Sequence, residues 1–252
     1  MKIRGITICV GYDDLLKITL ARNMRHMSEC LVVTSKDDRR TEAICTGIPD
    51  VQVLKTNVFY QSGAKFNKGA AMEEGFDVLG RNGWILTWDA DVLFPDQLRW
   101  PTNLRADMLY SPPRLILEDP RRWSPTIDWN LLASPTRDDI FAGYFHLFNA
   151  ADPVLVDKPW YDVQYTHCGG GDYYFQARWL REHRSRELGF RVLHLGPRDV
   201  NWFGRVTPRL DGAPLPPGVD ERRAIMQKYA VSQGWRNGGK KTYFPEKIGD
   251  QI

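Results

Sequence analysis

Two carboxylates one residue apart, Asp89 and Asp91, stand at the end of the hydrophobic run WILTWDADVLF. Side chains alternate along an extended chain, so the Asp-x-Asp spacing aims both carboxylates the same way once the strand ends. Such a pair suits a hard divalent cation held beside a phosphate. Without a cation, two acids in so apolar a stretch would repel one another and be costly to desolvate. Further along, Asp172 follows three glycines in HCGGGDYYF, and His194 follows an apolar run in VLHLGP. His167 and Cys168 are neighbours, but no third group stands at a spacing that would orient them for acyl transfer.

An alternation of strands and helices must position these groups. Ile6, Ile8 and Val10 alternate into GYDD, and Leu16, Leu20, Met24 and Met27 follow at helical spacing. CLVVTS and DDRRTEAICTG read as a strand and a short helix ended by Gly47, and VQVLKT as a third strand. A helix is predicted over 66–79 and a buried strand over 84–88, ending at the acids. This alternation implies parallel pairing, and open α/β sheets bind ligands outside the carboxyl ends of their strands. Positions 11–13, 34–38 and 89–91 should therefore converge. Beyond Asp91 the chain is rich in Pro, Arg and Trp, with short strands predicted over 107–110, 114–117 and 140–148. A helix over 172–183, a strand in FRVLHLG, a loop in LDGAPLPPG and a last helix over 221–229 complete the reading.

Composition bounds the rest. The 252 residues, 42% hydrophobic, can bury one substantial core. The amino end MKIRGITICVGYDD starts basic and apolar, but Asp13 and Asp14 follow without a small-residue cleavage site, so it reads as a first strand. No run of about 18 apolar residues exists, and no membrane span is expected. Cys9, Cys30, Cys45 and Cys168 form no CxxC pair, which fits a reducing interior and a cytoplasmic protein. The net charge of +3 is uneven: from Glu221 onward seven basic residues face three acids, interleaved with Trp235, Tyr243 and Phe244. Such a tail can grip a polyanion or serve as a solvated arm packed on the body.

Four segments occur in a telling order over about residues 3–200: ITICVGYDDLL, FNKGAAMEEGFD, WILTWDADVLFPD, and then GYFHLFN, HCGGGDYYF and VLHLGP. Together they resemble the GT-A glycosyltransferases, which move a sugar from a nucleotide diphosphate donor. The resemblance implies an α/β, Rossmann-like GT-A fold: a mostly parallel central sheet flanked by helices, with a smaller mixed sheet on the acceptor side. It implies a catalytic domain over 1–205, split into a nucleotide-binding half (1–94) and an acceptor-side half (95–205), with 206–252 as a basic extension packed on the same domain.

Carried over residue by residue, the resemblance assigns Asp91 as metal ligand, Asp89 as touching the metal or the donor ribose, and His194 as completing the site for Mn2+ or Mg2+. The imidazole nitrogen favours manganese slightly. Val10, Gly11, Tyr12 and Asp13, with Thr34 and Asp37, occupy the base and ribose positions. Asn67 and Lys68 contact the nucleotide near its diphosphate, Ala90 lies on the donor side, and Arg198 swings onto the diphosphate. Asp172 is the base that takes the acceptor's proton in an inverting transfer. Gly143 and Tyr144 form a wall near the sugar, Gly170 and Gly171 let the backbone approach it, and Trp202 offers a stacking surface. Each assignment has a structural counterpart: His194 as a strand histidine bonded to a carbonyl, Asp13, Asp37 and Asp172 as helix caps, Lys68 and Arg198 as surface cations. Asp172 is followed by tyrosines and not by a second acid, so retention by front-face attack stands beside inversion.

Two other classes fit parts of the chain. DADVLF after a strand also resembles the haloacid-dehalogenase phosphatases, with Asp89 as nucleophile, although three strand and helix units precede it. A non-catalytic nucleotide-sugar binding module is the third reading. For the first class the expected donor is a UDP-sugar, and the acceptor a hydroxyl on a glycan, a protein or a modified DNA base.

Overall fold

β1 (Ile3–Ile8) lies inside the sheet because both of its edges are taken. It pairs in parallel with β2 (Glu29–Ser35), Ile6 opposite Leu31, and with β4 (Trp84–Asp89), Ile6 opposite Thr87. β3 (Val51–Thr56) adds in parallel beyond β2. A strand covered on both faces is apolar along its whole length, and Leu31, Val32 and Val33 of β2 are all buried. α1 (Asp13–Asn23) and α2 (Arg39–Cys45) cover one face, where Leu16, Leu20 and Cys45 join Ile3, Val32 and Leu86 in one core. α3 (Lys68–Leu79) covers the other, setting Met72 and Phe76 against Ile6, Leu31 and Ile85. Gly75 allows that approach, since a methyl there would overlap Ile6 and Val33.

From β3 the chain returns through α3 to the opposite side of β1, so the order is β3-β2-β1-β4. Where connections leave adjacent strands in opposite directions, a crevice opens at their carboxyl ends. Beyond β4 the sheet continues through antiparallel β8 (Phe145–Asn149), then β6 (Leu109–Tyr110) and β9 (Arg184–Ser185). A second sheet joins β5 (Val92–Leu93), β10 (Val192–Leu195) and β7 (Arg114–Leu117), with β10 antiparallel to β5 and parallel to β7. α4 (Gly171–Gln176) follows the glycine run, and α5 (Val219–Ser232) is the last helix described. The expected architecture, a mostly parallel central sheet flanked by helices with a smaller mixed sheet beside it, is the one the chain adopts.

This computed structural model describes residues 1–134, 141–197, 200–215 and 217–232. Arg198, the first residue of the strand predicted over 140–148, and the tail containing Trp235, Tyr243 and Phe244 lie outside the described residues. Among the described residues no helix is long and apolar enough to cross a membrane.

Several boundaries differ from the sequence expectation, each for a local reason. α3 starts at Lys68 and not at 66, because the Asn67 side chain caps it by accepting from the Ala70 amide at 2.8 Å. The cap of α2 is Asp38, which accepts from the Thr41 amide, and not Asp37, which is exposed. Asp13 and Asp172 are not caps either: each lies within the first turn of its helix, after Tyr12 and Gly170 respectively. The helix expected over 172–183 ends at Gln176. Its last carbonyls are satisfied locally, with Tyr173, Phe175 and Gln176 accepting from the amides of Ala177, Arg178 and Trp179 as the turns tighten.

Candidate functional site

The DxD turn is held from behind by α1. Thr19 Oγ1 donates to the Ala90 carbonyl at 2.7 Å, Asn23 Nδ2 donates to the Val92 carbonyl at 2.8 Å, and Asn23 Oδ1 accepts from the Phe94 amide at 2.9 Å. Thr19 and Asn23 are fully buried, so the turn's backbone is fixed on a dry side and its acids are left to the crevice. β5 begins immediately after the turn and pairs with β10, and the Leu195 amide donates to the Asp91 carbonyl at 2.8 Å. That register carries His194 to Asp91 across about 100 residues of sequence, with Nε2 3.7 Å from Asp91 Oδ1.

The chemistry of this pair follows from its hydrogen bonds. His194 Nδ1 lies 2.9 Å from the Gly196 carbonyl, an acceptor only, so Nδ1 carries the proton. In the neutral ring Nε2 then presents a lone pair to Asp91 Oδ1, a buried oxygen with no hydrogen-bond partner among the described residues. Burial pushes the Asp91 carboxyl above its ordinary range, a shift that His194 would oppose only if charged. Two electron-pair donors facing one another in a buried space fit a divalent cation between them. Among the described residues no group of three or more His, Cys, Asp or Glu side chains is disposed to hold a metal.

Asp89 is engaged elsewhere. Lys68 Nζ lies 2.9 Å from Asp89 Oδ1 and 3.3 Å from Asp172 Oδ1. Burial alone would lower the Lys68 pKa, but Asp172 and Asp89 outweigh it and hold the ammonium charged. Burial raises the Asp172 carboxyl above its ordinary value despite Lys68. The Lys68 approach is not aligned as a hydrogen bond to Asp172 Oδ1, which keeps a lone pair in the site. Gly143 makes room for this carboxyl, because a methyl there would overlap it. Gly169 plays the same part for the Trp202 ring, and Gly170 adopts φ 93°, a left-handed conformation that turns the chain into α4.

One cavity of about 180 Å³ gathers these groups. Val10, Tyr12, Lys68, Asp89, Ala90, Asp91, Gly143, Tyr144, Asp172, His194 and Trp202 line it together. Gly11, Asp13, Thr34, Asp37, Asn67, Gly170 and Gly171 do not. Of the strand-end residues, Gly11 and Thr34 are tied into the fold by Asp38, whereas Asp37 is exposed. Asp38 accepts from the Gly11 amide at 2.7 Å, the Thr41 amide at 3.1 Å, and the Thr41 and Thr34 hydroxyls at 2.8 and 3.3 Å. Those four bonds use the roughly four lone-pair positions a carboxylate has.

The sequence reading missed Arg114 and Arg205, which also line the cavity. Arg114 stacks on the Tyr144 ring with its guanidinium carbon 4.6 Å from the centroid. Arg205 lies 4.7 Å over the Tyr12 ring while forming a buried ion pair with Asp14, and Arg209 does the same for Asp13. Residues 205–210 thus close over the GYDD turn from the far end of the chain. No spacing could announce it, but the paired acids of GYDD inside a buried turn require cationic partners from somewhere.

No protein-family model matches this chain, and no curated protein matches it by sequence. Its backbone resembles several solved structures. An inositol-1-phosphate CTP transferase from T. maritima is 12% identical, with 89% of this chain and 96% of that one covered and a TM-score of 0.45. A Drosophila β-1,4-galactosyltransferase 7 in complex with manganese, UDP-galactose and xylobiose is 14% identical, with 79% and 72% covered and a TM-score of 0.44. A 4-diphosphocytidyl-2C-methyl-D-erythritol synthase from Anaerococcus prevotii is 13% identical, with 90% and 96% covered and a TM-score of 0.40.

Proposed function

We propose that the chain is a divalent-metal-dependent glycosyltransferase that moves a sugar from a nucleotide-diphosphate donor, a UDP-sugar in the first instance, to a hydroxyl acceptor. The observation that carries this reading is the unpartnered Asp91 oxygen facing His194 in the same cavity as Lys68 and Asp172. Asp91 and His194 would hold Mn2+ or Mg2+; such a cation, when bound, offsets the charge that grows on a departing diphosphate. Lys68 supplies a fixed positive charge beside the acids and is within reach of a phosphate entering the cavity. Asp172, its pKa raised by burial, suits the removal of a proton from an acceptor hydroxyl, since a base works best when its pKa approaches the working pH. Tyr144 and Trp202 give apolar walls against which a sugar can rest.

The test is a melting-temperature panel of UDP-, GDP-, CMP- and dTDP-sugars with and without manganese, followed by chromatography of the donor. A ligand that binds only the folded state raises the midpoint. A metal-dependent shift with one nucleotide class, together with sugar release, is the expected result. Turnover of a simple aryl phosphate with magnesium and no nucleotide sugar would transfer the site to the phosphatase reading, and binding without donor cleavage would transfer it to the binding module.

A further inference from the structure

α4 carries Asp172 but cannot hold it in place alone. The helix has six residues and no side-chain cap, and one so short is marginal without tertiary packing. Asp172 and Gln176 stand four residues apart and so share a face of it. Gln176 is fully buried, and its Oε1 accepts from the Phe141 amide at 2.7 Å. The Phe141 carbonyl lies 2.7 Å from Nε2 of His146 in β8, a ring that is also fully buried. A carbonyl only accepts, so Nε2 carries the proton, and Nδ1 is left to accept from the Tyr161 hydroxyl 3.5 Å away. Burial pushes the His146 pKa down to about 4, so the ring is neutral at working pH. Phe175, beside Gln176, stacks on Tyr161 at 4.4 Å and on His146 at 5.4 Å, which ties the same helical turn to β8.

Resting on the reading of Asp172 as the base, we infer that Gln176 and His146 are positioning residues for it. Together they hold both polar groups of the Phe141 backbone, and Gly143 follows two residues later. Gly143 is the seat of the base: a methyl on it would overlap the Asp172 carboxyl, and its amide draws that carboxyl's pKa down against burial. A shift of Phe141 therefore moves the seat. Buried polar groups need partners of some kind, but here two of them converge on one residue, and one of the two comes from the helix that carries the base. Gln176 fixes α4 to the segment holding the seat, and His146 fixes that segment to β8.

Kinetics and amide exchange on the full chain test this, with the UDP-, GDP-, CMP- and dTDP-sugars of the melting panel as donors, manganese, and water as acceptor. Gln176→Met keeps the volume and removes the acceptor, and His146→Leu removes the donor. Each should lower kcat for sugar release by about tenfold or more, the effect of a base displaced by a fraction of 1 Å, with the donor KM within about twofold of wild type. His146→Gln, which keeps a donor near the position of Nε2, should return kcat to within about threefold of wild type. A loss of general packing would show no such recovery. In metal-free protein labelled with 15N-glycine, the Gly143 amide, assigned by its loss in Gly143→Ala, should exchange about tenfold faster in both breaking variants. Melting curves check that they fold, and Gln176→Asn, one methylene shorter, is the milder break should the methionine variant not fold. If wild type releases sugar and neither breaking variant changes kcat, the positioning role falls while the donor reading stands. If wild type releases sugar from none of the donors, the donor reading falls and exchange decides the clamp: faster exchange of Gly143 in both variants supports it, and unchanged exchange overturns it.

Discussion

Two pairs of closely spaced acids, Asp13 with Asp14 and Asp89 with Asp91, are treated in opposite ways by the molecule. Asp13 and Asp14 each meet an arginine, and Asp14 also accepts from the Leu210 amide at 2.7 Å, so their hydrogen-bonding capacity is spent inside the protein. Asp89 and Asp91 stand at the end of the next strand over, and Asp91 keeps a buried oxygen that faces His194 and accepts no hydrogen bond from the described residues. A carboxylate with its lone pairs filled stabilises a fold; one with a lone pair left over in a cavity costs free energy until a ligand arrives. Residue type and pairing are alike in the two cases, and the difference lies in the count of donors around them.

The largest effect expected from this contrast is on activity. Asp91→Ala should lower metal-dependent donor cleavage by about a thousandfold or more, the order of a lost charge-stabilising group, while the metal-free melting temperature holds or rises, because an unsatisfied buried oxygen is removed. A clear loss of stability in the metal-free protein would place Asp91 with the structural acids. The mirror experiment is Arg205→Met, which strands Asp14 without its partner and should cost about 3–5 kcal/mol in urea unfolding. A change near zero would show that the buried pair does not hold the turn.

Gly143→Ala sharpens the comparison inside the site. A methyl there displaces the Asp172 carboxyl, and a misplacement of about 1 Å in a reacting group costs on the order of a hundredfold in turnover. Nucleotide affinity should stay within about twofold, because the role proposed for the displaced Asp172 is toward the acceptor. Parallel losses in both would mean the cavity itself has collapsed.

The pH dependence of stability separates the two acid sets by sign. Burial opposes charge on Asp14, but Arg205 and the Leu210 amide outweigh it and hold the carboxyl below its ordinary value. Its contribution is present above the unfolded value of about 3.9 and is lost as pH falls through the lower folded value. Asp172 is shifted the other way by burial, so its protonated form stabilises the fold at low pH and that contribution fades as pH rises through the raised value. In metal-free protein the cost of Asp14→Asn should therefore shrink on acidification, whereas Asp172→Asn should become relatively more stabilising as pH rises. Matching slopes for the two variants would erase the distinction. The smallest effect belongs to the surface: the exposed pair of Lys55 and Glu42 should change stability by no more than about 0.5 kcal/mol when Lys55→Ala removes it.

Local order was largely legible. Ile6, Ile8 and Val10 announce a strand, Gly47 ends a helix unit, and the run from Trp84 to Trp88 can only be a buried strand ending at acids. The Asp89 and Asp91 spacing pointed to residues that line one cavity, and the register of β5 with β10 brings His194 to them. Less was legible where one residue type serves two ends. Asp37 and Asp38 are equally good caps by composition, and only the approach of Thr41 and the Gly11 amide selects Asp38.

What the sequence determined by itself is therefore the alternation of strands and helices and the position of the DxD acids, both of which depend on neighbours a few residues away. Tertiary structure alone decided which carboxylates are filled and which are left open. The partners concerned, Arg205 for Asp14, Arg209 for Asp13, His194 for Asp91 and Asp172 for Lys68, come from about 100 residues away or more. Hydrogen-bond satisfaction is a property of atoms within about 3 Å in space, and no periodicity along a chain encodes it.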